Sequence, residues 1–170
     1  SSDLRGMTML THLNSKGEAH MVDVSDKAVT KRTAIASGIV SMQAETMLLL
    51  ESNGLPKGDA LATIRLAGIM GAKRTSDLIP LCHPLNIKQV NISAVRVSDT
   101  ELKITAEVVA LDTTGVEMEA LTAVAVAALT TVDMCKAVDK TLCIRDVILI
   151  AKTGGKSGDF DRGDIIARKG

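Results

Sequence analysis

TGVEMEALTAVAVAALTTVDMCKAV, running from Thr114 to Val138, is the stretch on which the fold turns. Thr114 or Gly115 opens a helix that continues to about Val138, the clearest helical run in the chain. Its centre, Ala120 to Leu129, is rich in Ala and Val almost all round. A helix apolar on every side is buried on every side. In a chain of 170 residues that burial is easiest if a second copy covers one face.

Two alternating segments precede this helix. Leu102 to Leu111 and Ile87 to Val97 read as strands, the second with one slip in its alternation, and Ser98-Asp99-Thr100-Glu101 turns the chain between them. Asp59 is a fitting N-cap for a helix from Ala60 to about Lys73. Gln43 to Glu51 reads as a short helix, stopped by Ser52-Asn53-Gly54 and Pro56. Thr30 to Met42 is a strand in which Ala34, Ala36, Gly38 and Val40 alternate with other residues, and Leu142 to Ala151 is a final strand. The order strand, helix, strand, strand, helix, strand predicts an α+β chain. It is the split βαββαβ pattern of a ferredoxin-like fold, with helices on one face of an antiparallel sheet. The other sheet face also needs cover, which again points to an oligomer. Residues 1–18 are expected to form a mobile N-terminal arm, 19–161 a single domain and 162–170 a mobile C-terminal tail.

Twenty Lys plus Arg balance 20 Asp plus Glu, so the formal net charge is zero. That balance argues against a general nucleic-acid or membrane-surface binder and leaves room for a local basic pocket. With one Phe and no Trp or Tyr, the core falls to Ala, Val, Leu, Ile and Met. Cys82, Cys135 and Cys143 are odd in number and form no CxxC pair, which fits a reduced, cytoplasmic setting. No opening stretch resembles a signal peptide, and no charge-free apolar run reaches membrane-spanning length.

The residues that carry chemistry are scattered. Lys57-Gly58-Asp59 alone is a loop with a helix cap, yet a Lys before a helix N-terminus adds charge to a ready anion site. Pro80 and Pro84 bracket Leu81-Cys82-His83, a turn that can fix an imidazole's orientation. Cys82 and His83 without further ligands make a poor zinc site, so no metal is expected there. Glu117 and Glu119 lie two apart at the start of the long helix and point to different sides. Asp133 and Lys136, three apart near its end, share a face. Glu119 falls on that face too, but about 20 Å away along the axis. One straight helix cannot bring both to one small substrate; a site shared between two subunits could. Gly155-Lys156-Ser157 invites a P-loop reading that fails, because Ile150 stands where the first Gly belongs. A Gly-rich loop carrying Lys152 and Lys156 can still fold over phosphates. With Lys57, Lys73, Lys136, Arg32 and Arg74, the supply of cation is large for a neutral chain. If several converge, the ligand is a polyanion such as a triphosphate.

Six segments, taken together, resemble the MoaC family. They are His20-Met21-Val22-Asp23-Val24, Lys57-Gly58-Asp59, Asp77 to Pro84, Thr114 to Thr122, Asp133 to Val138 and Gly154 to Asp159. The resemblance runs from about Leu10 to Phe160. One departure is Val132, where the family often carries Tyr. The resemblance implies a ferredoxin-like homohexamer, a trimer of dimers, with the active site at a dimer interface. It implies a lyase that converts 3′,8-cyclo-7,8-dihydroguanosine 5′-triphosphate, supplied by an upstream radical GTP cyclase, to cyclic pyranopterin monophosphate and diphosphate in molybdenum cofactor biosynthesis. Asp133 matches the family's essential acid, and Lys57, Lys136, Lys73 and His83 match other active-site positions. Leu81, Cys82 and His83 match a substrate-contacting segment, as do Met118 and Glu119. Asp23, Lys27, Arg32, Glu117 and Lys152 match further pocket residues.

That chemistry calls for proton transfers at carbon–nitrogen bonds and for cations around a leaving diphosphate. Asp133 and Lys136, with Lys57 as partner, are expected to move protons, and His83 to orient or protonate the substrate. Lys73, Arg32, Lys152 and Lys156 are expected to hold phosphates. No cofactor is required, and Mg²⁺ could accompany the triphosphate. Two rivals stand beside this reading. A nucleotide-sensing module would explain the lysines but not Asp133 paired with Lys136. An RNA-binding domain of the same fold lacks the stacking aromatics.

Overall fold

The computed structural model describes residues 12–163, so most of the expected arm and tail, residues 1–11 and 164–170, lies outside the described residues. Within the arm, the Asn14 side chain accepts from the Lys16 and Glu18 N–H groups, and Leu13 bridges to Ala19. The elements that follow are β1 (Thr30–Ser41), α1 (Ala44–Glu51), α2 (Ala60–Lys73) and α3 (Thr75–Leu78). Then come β2 (Ile87–Arg96), β3 (Glu101–Asp112), α4 (Glu117–Cys135), β4 (Cys143–Thr153) and β5 (Phe160–Asp161). The strands make one five-stranded sheet in the order β2-β3-β1-β4-β5, antiparallel throughout.

Side-chain alternation decides which sheet face is covered. Ala34, Ala36, Gly38 and Val40 of β1 lie opposite Val108, Ala106, Ile104 and Leu102 of β3, and the set is buried. α4 packs over these strands, and α2 packs beside α4 and over β2. Small residues on β1 set the approach: a Cβ on Gly38 would stand 2.8 Å from Val124 Cγ1 of α4. The slip in the β2 alternation is a bulge. Ile87 pairs with Ala110 and Gln89 with Val109, so Lys88 is the extra residue that keeps Ile87 and Val90 in step. On the far face, Ile35, Ile39 and Val109 are half-buried among Lys103, Thr105 and Glu107.

α4 is shorter than its sequence predicts at both ends. At its entry, Arg32 donates to the carbonyls of Asp112 and Thr113 and holds that turn out of the helix. At its exit, Asp139 stops it. The Asp139 carboxylate is 3% exposed and accepts four bonds, from Gln43 N–H and the Thr46 hydroxyl and from Thr141 N–H and hydroxyl. Burial alone would raise its pKa, but these bonds outweigh it and bring it from 3.8 to about 2. A depressed carboxyl stabilises the fold above its ordinary pKa and loses that effect as pH falls through the depressed value. Asp139→Asn is therefore expected to lower stability at pH 7 by about 2 kcal/mol and to flatten the loss between about pH 4 and pH 2. Chemical denaturation at several pH values measures both.

Burial of α4 on every side does not hold within one chain. α2 covers one flank and the sheet its underside, while Leu129 remains 60% exposed. Leu66 and Met70 of α2 are similarly open. By length and composition α4 would pass as a membrane span. More than half of its apolar window is instead buried in the fold, as in a core helix.

Candidate active site

Most of the expected site residues gather at the two ends of α4. At the C-terminal end, the loop before α2 brings Lys57 Nζ to 2.6 Å from Asp133 Oδ2, and Lys136 Nζ lies 2.8 Å from Asp133 Oδ1. Lys136 first, and Lys57 second, hold the Asp133 pKa down at about 2. Asp133 is thus a carboxylate at neutral pH that fixes two ammonium groups side by side. Its side chain is 51% exposed within one chain. Among the described residues of one chain, Lys57 and Lys136 are its ion-pair partners.

Two adjoining clefts occupy the other end and share Lys27, Thr114, Gly115 and Glu117. The larger, about 550 Å³, is lined by Lys27, Arg32, Lys152 and Lys156. Lys152 Nζ lies 3.3 Å from Glu117 Oε1 and also bonds the Ser157 hydroxyl. The Gly-rich loop lies directly against Arg32. Gly155 has φ +88°, a backbone conformation that favours glycine, and a Cβ there would displace the Arg32 guanidinium.

The smaller cleft, about 390 Å³, is lined by Leu81, Cys82, His83, Met118 and Glu119, with Val22 and Val24. Glu119 is 3% exposed. Burial, reinforced by the charges of Glu117 and Asp112, raises its pKa to about 7. A carboxyl poised there can donate or accept a proton near neutral pH. Burial, then the Glu119 charge, pushes the Cys82 thiol up, so it stays protonated. His83 Nε2 lies 2.8 Å from the Val22 carbonyl oxygen and must donate to it.

Two expected residues stand apart. Lys73 lines a separate recess of about 370 Å³ beside β2, with Asn86 and Lys88. Asp23 is exposed and lines neither cleft; bonds from the Ser25 hydroxyl and N–H lower its pKa. Among the described residues no three His, Cys, Asp or Glu side chains converge to hold a metal ion.

Some residues at the clefts carried little local signal. Val22 and Val24 entered only as part of the His20–Val24 segment of the family resemblance. Asp112 lines neither cleft but accepts from the N–H groups of Asn86, next to cleft-lining Leu85, and of Thr113, next to Thr114, and nothing local marks it. Ser157 was visible within the Gly-rich run, but its bond to Lys152 depends on β4 folding back to meet β5.

A model of the MoaC family matches residues 21–155, which include both ends of α4 and all the cleft-lining cations except Lys156. The chain is 58% identical over 161 residues to a cyclic pyranopterin monophosphate synthase of Streptomyces griseus, covering 95% of this chain and 90% of that one. It is 61% identical over 153 residues to the Streptomyces coelicolor protein of the same name, with 90% and 89% covered. A Chloroflexus aurantiacus protein, again so named, is 57% identical over 154 residues, with 90% and 94% covered. With the match spanning most of its length and both residue clusters, the chain belongs to the MoaC family.

Proposed function

We propose that the chain is a cyclic pyranopterin monophosphate synthase, a lyase of molybdenum cofactor biosynthesis. It takes 3′,8-cyclo-7,8-dihydroguanosine 5′-triphosphate from an upstream radical GTP cyclase and forms cyclic pyranopterin monophosphate and diphosphate. The observation that carries this reading is the pair of joined clefts, one ringed by cations and the other mostly apolar around Glu119. The first suits a triphosphate, whose α-phosphate is attacked by a sugar hydroxyl while Lys27, Arg32, Lys152 and Lys156 stabilise the departing diphosphate. The second suits the guanine-derived rings, where Glu119 meets a ring nitrogen.

Ring opening and reclosure need further proton carriers. Lys57 and Lys136 supply them, with Asp133 setting their positions; its own pKa of about 2 makes it a poor donor at neutral pH. From Glu119 to Asp133 the axis of α4 runs about 21 Å. The two groups therefore meet at one substrate only if a second copy lends its end of the helix. Exposed Leu66, Met70 and Leu129 are the apolar surface such a dimer would cover. Three such dimers make the hexamer, and the strand order β2-β3-β1-β4 supports a ferredoxin-like protomer with β5 added at one edge. The reaction needs no resident cofactor; any Mg²⁺ travels with the triphosphate. The setting proposed is the cytoplasm, where Cys82, Cys135 and Cys143 stay as free thiols.

The direct test supplies the cyclised triphosphate and follows diphosphate. Release in step with a pterin product is expected. Saturable binding with no release would turn the chain into a sensor.

A further inference from the structure

We propose that His83 is a positioning residue, a latch whose Nε2–H holds segment 21–29 across the clefts and thereby places Lys27. Segment 21–29 has no helix or strand. Val22 and Val24 face the smaller cleft and are half-buried, while Met21, Asp23 and residues 25–29 are exposed. Its other hydrogen bonds among the described residues are internal: Asp23 accepts from Ser25, and Lys27 N–H donates to the Val24 carbonyl. The 2.8 Å contact from His83 to the Val22 carbonyl is the hydrogen bond that ties this segment to the body. A segment tied to the described residues by two half-buried valines and this bond opens locally far more easily than the sheet beneath it.

The anchor itself is firm. His83 sits in the Pro80–Pro84 turn, which is closed by Cys82 N–H to the Ile79 carbonyl and followed by Asn86 N–H bonded to Asp112. Because the acceptor is a carbonyl oxygen, Nε2 carries a proton whether the ring is neutral or charged. The latch therefore works in both states, and that nitrogen is committed to the backbone rather than to substrate. Lys27 lines both clefts and rides on the latched segment. The place of Lys27 rests on the reading of the clefts given above; the latch itself does not.

Hydrogen–deuterium exchange on the intact, ligand-free oligomer tests this for His83→Ala and His83→Gln, the second of which keeps a donor at about the reach of Nε2. Exchange across 21–29 is expected to quicken by about tenfold in His83→Ala and to return near the parent rate in His83→Gln. His83→Asn, whose amide falls short of Val22, should exchange like His83→Ala and stands in for it if the Ala variant does not fold. In turnover, His83→Ala should raise KM several-fold with a smaller fall in kcat, and His83→Gln should regain most of both. Unchanged exchange in His83→Ala, or His83→Gln losing kcat as fully as His83→Ala, overturns the latch. A parent protein that releases no diphosphate yet shows these exchange shifts would sink the proposed reaction and leave the latch standing.

Discussion

Lys57→Ala and Asp133→Asn are each expected to cut diphosphate release by about 10²–10⁴-fold, the range for losing a proton-transfer group or the carboxylate that positions it. The melting temperature should hardly move. Lys57 and Asp133 are 42% and 51% exposed, and their pairing lies outside the packed core, so removing it opens no cavity. In Lys57→Ala one ammonium is gone. In Asp133→Asn both lysines remain, but the carboxylate that spaces them, at 2.6 Å and 2.8 Å, is replaced by an uncharged amide. The two variants should therefore fail for different reasons and to a similar degree. Single-turnover product formation measures the loss, and near-normal turnover by either variant removes that residue from the mechanism.

Glu119→Gln is expected to move activity and stability in opposite directions. Activity should fall by about 10²-fold or more, because an amide cannot give up or take back a proton. Stability should rise above neutrality. With its pKa raised from 4.5 to about 7, Glu119 holds more proton in the folded than in the unfolded chain. Fold stability is then intact below the unfolded value and declines as pH climbs from about 4.5 to about 7. Gln escapes that decline, so at pH 8 the variant should be the more stable by up to about 3 kcal/mol, with little difference at pH 4. Denaturation at the two pH values reads it. An equal gap at both would show that folding does not raise the Glu119 pKa and that Glu119 is no proton carrier near neutral pH.

The contrast between what the sequence disclosed and what it hid follows from the range of the forces involved. The start of α2 was legible, because Asp59 caps it and its side chain accepts from Ala62 N–H three residues on, and its end lies where the sequence put it, at about Lys73. The interrupted alternation between Ile87 and Val90 was visible, and its cause, the bulge at Lys88, is the simplest one that preserves the buried face. The ends of α4 were not legible. They depend on Arg32 reaching Thr113, 81 residues away, and on Asp139 reaching Gln43, 96 residues away. β5 is two residues long and exists only by pairing with β4.

The site divides in the same way. Helical spacing alone placed Asp133 beside Lys136 and separated both from Glu119. The membership of Lys57, His83 and Arg32 came from resemblance, and their grouping needed the tertiary fold. Lys73 also entered by resemblance; within one chain α2 directs it to the β2 side, apart from the other cations.

Co-expression of Lys57→Ala with Glu119→Gln tests most directly whether one site is built from two copies of the chain. Each variant alone should be nearly inactive. In random mixing half the dimers are mixed, and each mixed dimer contains one site free of both substitutions, so about a quarter of the parental activity should return. Mixed oligomers confirmed by native mass spectrometry, yet as inactive as either variant alone, would place every catalytic group within a single chain and contradict the account.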